Sequence, residues 1–192
     1  RKTSGFPRQP DDNVLRVFTT RPDTLFGATY MVIAPEHPAV ERLTTSDQAA
    51  VVKEYCEAAS RKSDLDRTEL AKEKTGVFTG AYVTNHFNGE KVPVWIADYA
   101  LLWYGTGAVM GVPAHDARDF EFARKFGLAC PVVIAPVDWD GKPLEEAYLA
   151  PGAMVNSGRF DGMPNEDGKD AVIEFAESQS WGKRTITYRI RD

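Results

Sequence analysis

The sequence predicts a mixed α/β fold in which a curved or barrel-like β-sheet is flanked by helices. Short runs of β-branched residues, bounded by turn residues, predict strands at residues 14–19, 28–34 and 131–136. Between these runs, apolar residues recur every three or four positions, which is typical of amphipathic helices. Since strands and helices alternate irregularly along the chain, a mixed sheet is favoured.

Two helices are predicted after the second strand, at residues 38–43 and 47–60. The following segment, residues 63–74, is charged and mostly polar, so we expect an exposed helix or a lid. The apolar face of the longer helix is expected to consist of Val51, Val52, Tyr55 and Ala59.

A β-meander is predicted for residues 78–112. Asn88-Gly89 lies between two apolar runs and has the residue types of a tight hairpin turn. The aromatic residues expected on strands of this meander are Trp95, Tyr99, Trp103 and Tyr104.

Two further helices are predicted, at residues 116–126 and 165–180. The first has Phe122 and Phe126 four positions apart and Gly127 at the C′ position. Residues 138–151 are expected to form a loop, and residues 185–192 alternate as a strand does. The inward face of the last helix is expected to contain Val172, Phe175 and Ala176, with the helix ending near Gly182.

Composition narrows the possible classes of protein. With 192 residues, 43% hydrophobic and 27% charged, the chain is of a size and composition usual for one globular domain. No apolar run is long enough for a membrane helix, and the two cysteines form no close pair, which favours a reducing cytoplasm. The net charge of −5 argues against a broad nucleic-acid-binding surface.

The two ends of the chain predict a module cut from a longer protein. The first residue is not methionine, and residues 1–13 are polar and linker-like. Residues 185–192 end on the predicted strand without a terminal tail. We therefore interpret residues 1–192 as one domain of a larger chain.

Two distant stretches pass from apolar residues to clustered functional groups. Polar turns at the ends of buried strands are places where a rigid scaffold presents reactive side chains. Together the stretches predict one site with two walls. They are Thr19-Thr20-Arg21-Pro22-Asp23-Thr24 and the run from Gly105-Thr106-Gly107 to Pro113-Ala114-His115-Asp116-Ala117-Arg118-Asp119.

These stretches resemble the editing (CP1) domain of class I aminoacyl-tRNA synthetases, and the likeness covers nearly the whole chain. The resemblance is greatest to the leucyl enzyme of bacterial type, and the last residues resemble the point where that enzyme's chain returns to its catalytic core. The matching residues are Phe26-Gly27, Met110-Gly111-Val112, Phe120-Glu121-Phe122-Ala123 and Tyr188-Arg189-Ile190-Arg191-Asp192.

The resemblance implies post-transfer editing of mischarged tRNA(Leu). A synthetic site discriminates one methylene only about 10–200-fold, so a second site must hydrolyse errors. The expected reaction is hydrolysis of the ester of isoleucine, valine, methionine or norvaline, with leucine excluded. The expected partners are the 3′ terminal adenosine of aminoacylated tRNA(Leu) and the rest of a monomeric synthetase. No cofactor is expected in this domain, because ATP and Mg²⁺ serve the parent enzyme's synthetic site.

By resemblance, Asp119 binds the α-ammonium group of the aminoacyl ester. The structural alternative is a first-turn acid that favours the helix dipole. Asp116 stands where an N-cap belongs, with Asp119 three residues later, so it either caps the helix or helps to bind substrate. In the capping role it would orient Asp119 and His115, and His115 is also expected at the substrate site.

Thr24 is expected to exclude leucine, because a stiff β-branched side chain can clash with a side chain that branches at Cγ. Its alternative is a local backbone hydrogen bond. Thr19 and Thr20 are expected to position the attacking water or the ribose hydroxyls, since no adjacent base activates them as nucleophiles. One of this pair is alternatively strand packing.

The remaining candidates have equally plain alternatives. Arg21 is expected to meet the terminal phosphate or ribose, or else to form a surface salt bridge. Met110 and Val112 either line an apolar pocket or belong to the core. Tyr104 either contacts the adenosine or packs among aromatic strand residues.

Other functions are weaker hypotheses. His115 with Asp116 and Asp119 suggests a metal-dependent hydrolase, but the other histidines and both cysteines are isolated, so no metal is expected. Gly105-Thr106-Gly107 is only a fragment of a dinucleotide-binding loop, because Met110 replaces the third glycine. A non-catalytic module for the tRNA 3′ end remains the alternative from another class.

Overall fold

The computed structural model describes residues 13–68, 74–136 and 138–185, and it confirms a mixed α/β fold. The main sheet has four strands, and the strand at Tyr30–Ile33 runs parallel to one neighbour and antiparallel to the other. In chain order the strands are β1 Tyr30–Ile33, β2 Val77–Thr84, β3 Lys91–Ile96 and β4 Ala108–Gly111, and they lie in the order β2-β3-β1-β4.

In the described residues, five α-helices flank this sheet and a smaller two-stranded one. Within the described ranges, none of them is long and apolar enough to cross a bilayer. The helices are α1 Ala39–Leu43, α2 Ala49–Ala59, α3 Asp64–Thr68, α4 Ala117–Phe126 and α5 Asn165–Ser178, and the small sheet pairs β5 Ile134–Ala135 with β6 Ala153–Met154.

The central strand β1 lies between two apolar layers, one on each face of the sheet, and all four of its side chains are buried. Met31 and Ile33 pack in a core with Val52 of α2. Tyr30 and Val32 point to the opposite face and pack with α4. A strand buried on both faces is expected to be apolar throughout, as this one is, and helices therefore cover both sides of the sheet.

The predicted β-meander is wrong, because β1 lies between β3 and β4. The β2–β3 hairpin does form, with a loop in which Gly89 has a φ of +76°. Residues 97–107, which we call the crossing loop, then pass the end of β1 before β4 pairs with β1. Tyr99, Trp103 and Tyr104 lie on this loop, so they are not the strand residues that the sequence predicted, and Trp103 and Tyr104 are exposed.

The other elements differ in smaller ways. Residues 14–19 are not a strand in the described part of the structure, but Leu15 and Val17 pack against the core. In residues 131–136, Val132, Val133 and Ile134 are buried, yet only Ile134–Ala135 forms a strand. In α2, Val51 is exposed, so the apolar face is narrower than predicted.

Helix α4 confirms its predicted ends. The Asp116 carboxylate accepts hydrogen bonds from the backbone N–H groups of Arg118 and Asp119, as an N-cap does. Gly127 ends the helix in the left-handed conformation, with a φ of +67°. Helix α5 begins where it was predicted, with Val172 and Ala176 buried and Phe175 half-buried.

Three predictions fall wholly or partly outside the described residues. They concern the linker at residues 1–13, the second half of the predicted lid at residues 63–74, and the strand at residues 185–192. Within the predicted lid, α3 confirms a short helix.

His115 connects the small sheet to the main sheet through hydrogen bonds. Its Nε2 accepts hydrogen bonds from the backbone N–H groups of Val133 and Ile134, both at 3.0 Å, and its Nδ1 lies 3.0 Å from the carbonyl oxygen of Tyr148. Because backbone N–H groups only donate and carbonyls only accept, the ring is the neutral Nδ1–H tautomer. Burial lowers the pKa of His115 below its usual value, in keeping with this neutral form.

We expect His115→Phe to destabilise the fold by about 1–3 kcal/mol for each buried donor left without an acceptor. A folded-state pKa below the unfolded value means that His115 stabilises the fold above pH 6.5 and that this contribution is lost as pH falls through the folded-state pKa. Urea unfolding at pH 7.5 and pH 5 measures both effects. His86→Phe, at an exposed position, is the matched control. Equal stability of the two variants would show that His115 is dispensable.

Candidate functional site

The two polar stretches meet at one cavity of about 380 Å³. One wall comes from the threonine-rich segment that leads into the 3₁₀ turn Pro22–Gly27, and the other from β4 and the start of α4. Every residue that the sequence placed at the site lines this cavity: Thr19, Thr20, Arg21, Thr24, Tyr104, Met110, Val112, His115, Asp116 and Asp119.

The two neighbouring threonines are in different environments. The Thr19 hydroxyl accepts a hydrogen bond of 2.9 Å from the backbone N–H of Arg21, which shapes the turn. Thr20 is exposed, and its hydroxyl has no hydrogen-bond partner among the described residues. Thr20 is therefore the member of the pair whose hydroxyl remains available to a ligand.

Thr24 is buried at the cavity wall. Its hydroxyl donates to the carbonyl oxygen of Arg21 at 2.9 Å, which is the local bond that the sequence left open as an alternative. This bond fixes the rotamer of a side chain that is already stiff at χ1. The side chain thus presents a constant shape to the cavity.

Arg21 is held at the wall by a buried acid that the sequence analysis did not place at the site. Its Nε and Nη2 both donate to Asp23, which is fully buried and also accepts from the Asn165 amide nitrogen at 3.0 Å. Asn165 belongs to α5, so this network joins the threonine-rich wall to the last helix. Within the described residues, Nη1 of Arg21 makes no hydrogen bond and remains for a ligand.

Asp119 does not complete a capping box. Its Oδ2 accepts the backbone N–H of Val112 at 2.8 Å, and its Oδ1 accepts the hydroxyl of Tyr30 at 3.2 Å. Burial raises the pKa of Asp119 to about 7, and the negative charge of Asp116 adds to this rise. A strongly perturbed pKa at a cavity marks the Asp119 carboxyl group as a candidate functional group.

Gly111 allows Tyr30 to reach Asp119. The two residues are opposite each other in the β1–β4 ladder, and a Cβ on Gly111 would lie 2.1 Å from the Tyr30 ring. Only glycine leaves room for the ring to pack across β4. Burial raises the pKa of Tyr30, so its phenol stays protonated and donates.

Sequence reasoning missed several residues of the cavity, most of them on the crossing loop. Buried Arg67 of α3 holds this loop by donating to the carbonyl oxygens of Asp98 and Ala100. These bonds join parts of the chain that no local pattern connects. The missed residues are Phe18, Tyr99, Ala100, Leu101, Trp103, Val109 and Arg118.

The described residues offer no converging set of three His, Cys, Asp or Glu side chains that would suit a metal ion. Both ring nitrogens of His115 are engaged by the backbone. Its geometry therefore favours a positioning role at the cavity wall.

The arrangement suits a ligand with a cation, an apolar side chain and a polar tail. Asp119 faces the cavity as an acceptor, and Met110 and Val112 supply apolar surface beside it. On the opposite wall, Thr24 limits the shape of the ligand's apolar side chain. Thr20 and Arg21 offer a hydroxyl and a guanidinium group to its polar tail.

The chain is similar to known proteins over most of its length. The family model for the leucyl-tRNA synthetase editing domain matches residues 4–177. Leucine–tRNA ligases of Rubrobacter xylanophilus and Dehalococcoides mccartyi are 57% and 55% identical over 92% and 97% of this chain. The chain spans only 22% and 23% of those relatives' own lengths.

A solved structure shows the same fold. It is the ternary complex of an Agrobacterium radiobacter LeuRS with tRNA and LeuAMS, which superposes with a TM-score of 0.68 and 32% identity over 95% of this chain and 19% of that one. The resemblance expected from the two motifs is thereby confirmed, and the chain belongs to the leucyl-tRNA synthetase editing-domain family.

Proposed function

We propose that this chain hydrolyses the ester bond of tRNA(Leu) mischarged with isoleucine, valine, methionine or norvaline, and spares leucyl-tRNA(Leu). The observation that carries the proposal is that Thr24 and Asp119, far apart in sequence, line one cavity. The family supports an editing role, and the tRNA in the related LeuRS complex supports an RNA partner.

In this proposal Asp119 binds the α-ammonium group of the amino acid. Each of its oxygens already accepts one hydrogen bond, from Val112 or Tyr30, and each retains acceptor capacity for the ligand. The two donors fix the carboxylate before substrate arrives. A charge-assisted hydrogen bond to a fixed carboxylate is stronger than one between neutral groups.

Thr24 is the steric filter. Leucine branches at Cγ, whereas isoleucine and valine branch at Cβ, so a side chain of fixed shape can exclude the first and admit the others. The hydrogen bond from Thr24 to Arg21 supports this role, because a rotating side chain would not discriminate shape.

Hydrolysis then depends on positioning a water molecule and stabilising charge on the carbonyl oxygen. Thr20 supplies a hydroxyl for orientation, and Arg21 a guanidinium for the ribose or phosphate of the terminal adenosine. Tyr104 contacts that adenosine. The full protein would be a monomeric cytoplasmic leucine–tRNA ligase whose ATP and Mg²⁺ serve its synthetic site, with no cofactor in this domain.

Removing the Asp119 carboxylate should weaken editing without harming synthesis. In the full synthetase, we expect Asp119→Ala to lower kcat/KM for isoleucyl-tRNA(Leu) deacylation at least about tenfold, the effect of losing one charged hydrogen bond. Leucylation by the same preparation is the control. Unchanged removal of isoleucine would refute the anchoring role, and a wild-type protein that binds the ester without cleaving it would indicate a non-catalytic module.

The pH profile should report the same carboxyl group. Because the ionised form binds the ammonium, wild-type kcat/KM should rise with pH through about 7. Tyr30→Phe removes a donor that stabilises the carboxylate, so the midpoint should move to higher pH. An identical midpoint in both proteins would mean that another group controls the reaction.

Three substitutions of Thr24 separate shape from hydrogen bonding. Thr24→Ala and Thr24→Ser lose the methyl group, and we expect both to deacylate leucyl-tRNA(Leu), with discrimination falling by about 10–200-fold. Thr24→Val keeps the branched shape but loses the hydrogen bond to Arg21, so it should spare leucine better than the alanine and serine variants and less well than the wild type. Discrimination is measured as the ratio of the deacylation rates for isoleucyl- and leucyl-tRNA(Leu). Intact leucyl-tRNA with the alanine and serine variants would disprove the filter.

A further inference from the structure

A row of aromatic rings edges the cavity and has no part in the ester chemistry proposed above. We call Phe18, Trp103 and Tyr104 the aromatic rim. Trp103 is 63% exposed and Tyr104 is 49% exposed. The Tyr104 ring lies 6.4 Å from that of Phe18 and 6.4 Å from that of Trp103, at interplanar angles of 81° and 82°. Large apolar surfaces exposed beside a cavity are typical of binding sites.

Trp103 is exposed and yet held in one orientation. Its indole Nε1–H donates to Oδ2 of Asp64 at 2.8 Å. Asp64 belongs to α3, which Arg67 anchors to the crossing loop through the carbonyl oxygens of Asp98 and Ala100. A ring fixed in advance loses little conformational entropy when a ligand covers it.

We propose that Trp103 stacks on the base of the nucleotide that precedes the terminal adenosine. This inference rests on the proposed function, in which the adenosine lies beside Tyr104. Trp103 and Tyr104 are neighbours at the edge of the cavity. A single-stranded 3′ end that leaves the cavity on this side would therefore place the nucleotide before the adenosine at Trp103.

The geometry and charge of the chain favour this occupant. Because the Trp103 and Tyr104 rings are nearly perpendicular, they suit two bases splayed apart, as single-stranded RNA is usually bound. The net charge of −5 limits electrostatic attraction for phosphates to local cations such as Arg21. Stacking on exposed aromatic rings is the sequence-tolerant source of affinity that remains.

Two non-hydrolysable ligands test the proposal in the full synthetase. One is 3′-isoleucylamino-3′-deoxyadenosine with a 5′-methyl phosphate, and the other has a cytidine in place of the methyl group, so both carry the phosphate that Arg21 is proposed to meet. Titration calorimetry gives both Kd values. We expect wild type to bind the dinucleotide about tenfold more tightly than the methyl phosphate, as one stacked base provides.

Trp103→Ala should bind the two ligands equally, whereas Trp103→Phe, which keeps a flat ring, should retain most of the gain. Trp181→Ala is the matched control, because Trp181 is also an exposed indole among aromatic rings but does not line the cavity. Its dinucleotide gain should equal that of wild type.

Three results would overturn the proposal. The first is that wild type gains no affinity from the added cytidine, as when another part of the synthetase covers Trp103. The others are that the gain persists in Trp103→Ala, or that this variant binds both ligands more weakly by the same factor. Deacylation of isoleucyl-tRNA(Leu) by the same wild-type preparation is a separate readout. A dinucleotide gain without deacylation would retain the stacking and refute the hydrolysis, and deacylation without a gain would do the reverse.

Discussion

The carboxylate of Asp119 is the point on which the site depends, because it joins three elements. It lies on α4, accepts the N–H that follows β4, and accepts the phenol of Tyr30 from β1. Tyr30 is fully buried and stacks on Phe122 at 5.0 Å, so the core itself positions the donor. The orientation of the carboxylate is therefore set by packing of the whole sheet and not by a flexible loop.

The burial of the Asp119 carboxyl group lowers the stability of the fold at neutral pH. A folded-state pKa near 7, against an ordinary value of 3.8, means that the folded protein holds a proton which the unfolded chain releases. The contribution of Asp119 to stability is consequently present at low pH and is lost as pH rises from about 4 to 7. At neutral pH the fold tolerates a group that would be more favourable elsewhere, which is typical of residues kept for function.

Local chemistry could be predicted from the sequence, and long-range pairing could not. The cap at Asp116 and the left-handed Gly127 depend on a few neighbouring residues, and both predictions were confirmed. The insertion of β1 between β3 and β4 depends on which partners best bury a strand on both faces. No period or turn signal in residues 78–112 carries that information, so the meander was the wrong topology.

The same distinction applies to the candidate site. The sequence identified ten residues that line one cavity, nine of them within the two motifs. They did not indicate that the Thr19 hydroxyl shapes the turn, or that backbone groups engage both nitrogens of His115. These hydrogen bonds depend on the positions of individual atoms, which a pattern of residue types does not specify. Asp23 was visible as part of the motif, but its burial against Asn165 depends on α5 packing beside the 3₁₀ turn Pro22–Gly27.

Different hydrogen-bond networks hold the two sides of the cavity, and each network suits the task proposed for its side. Thr24 is fixed by a bond to Arg21, which is fixed in turn by Asp23 and, through it, by Asn165. Discrimination of one branch point needs such rigidity, because a displaced side chain would no longer clash with leucine. The crossing loop is held by Arg67 of α3, and Trp103 on this loop is held by Asp64 of the same helix. A ring that is oriented in advance suits the proposed stacking, since little conformational entropy is lost when a base covers it.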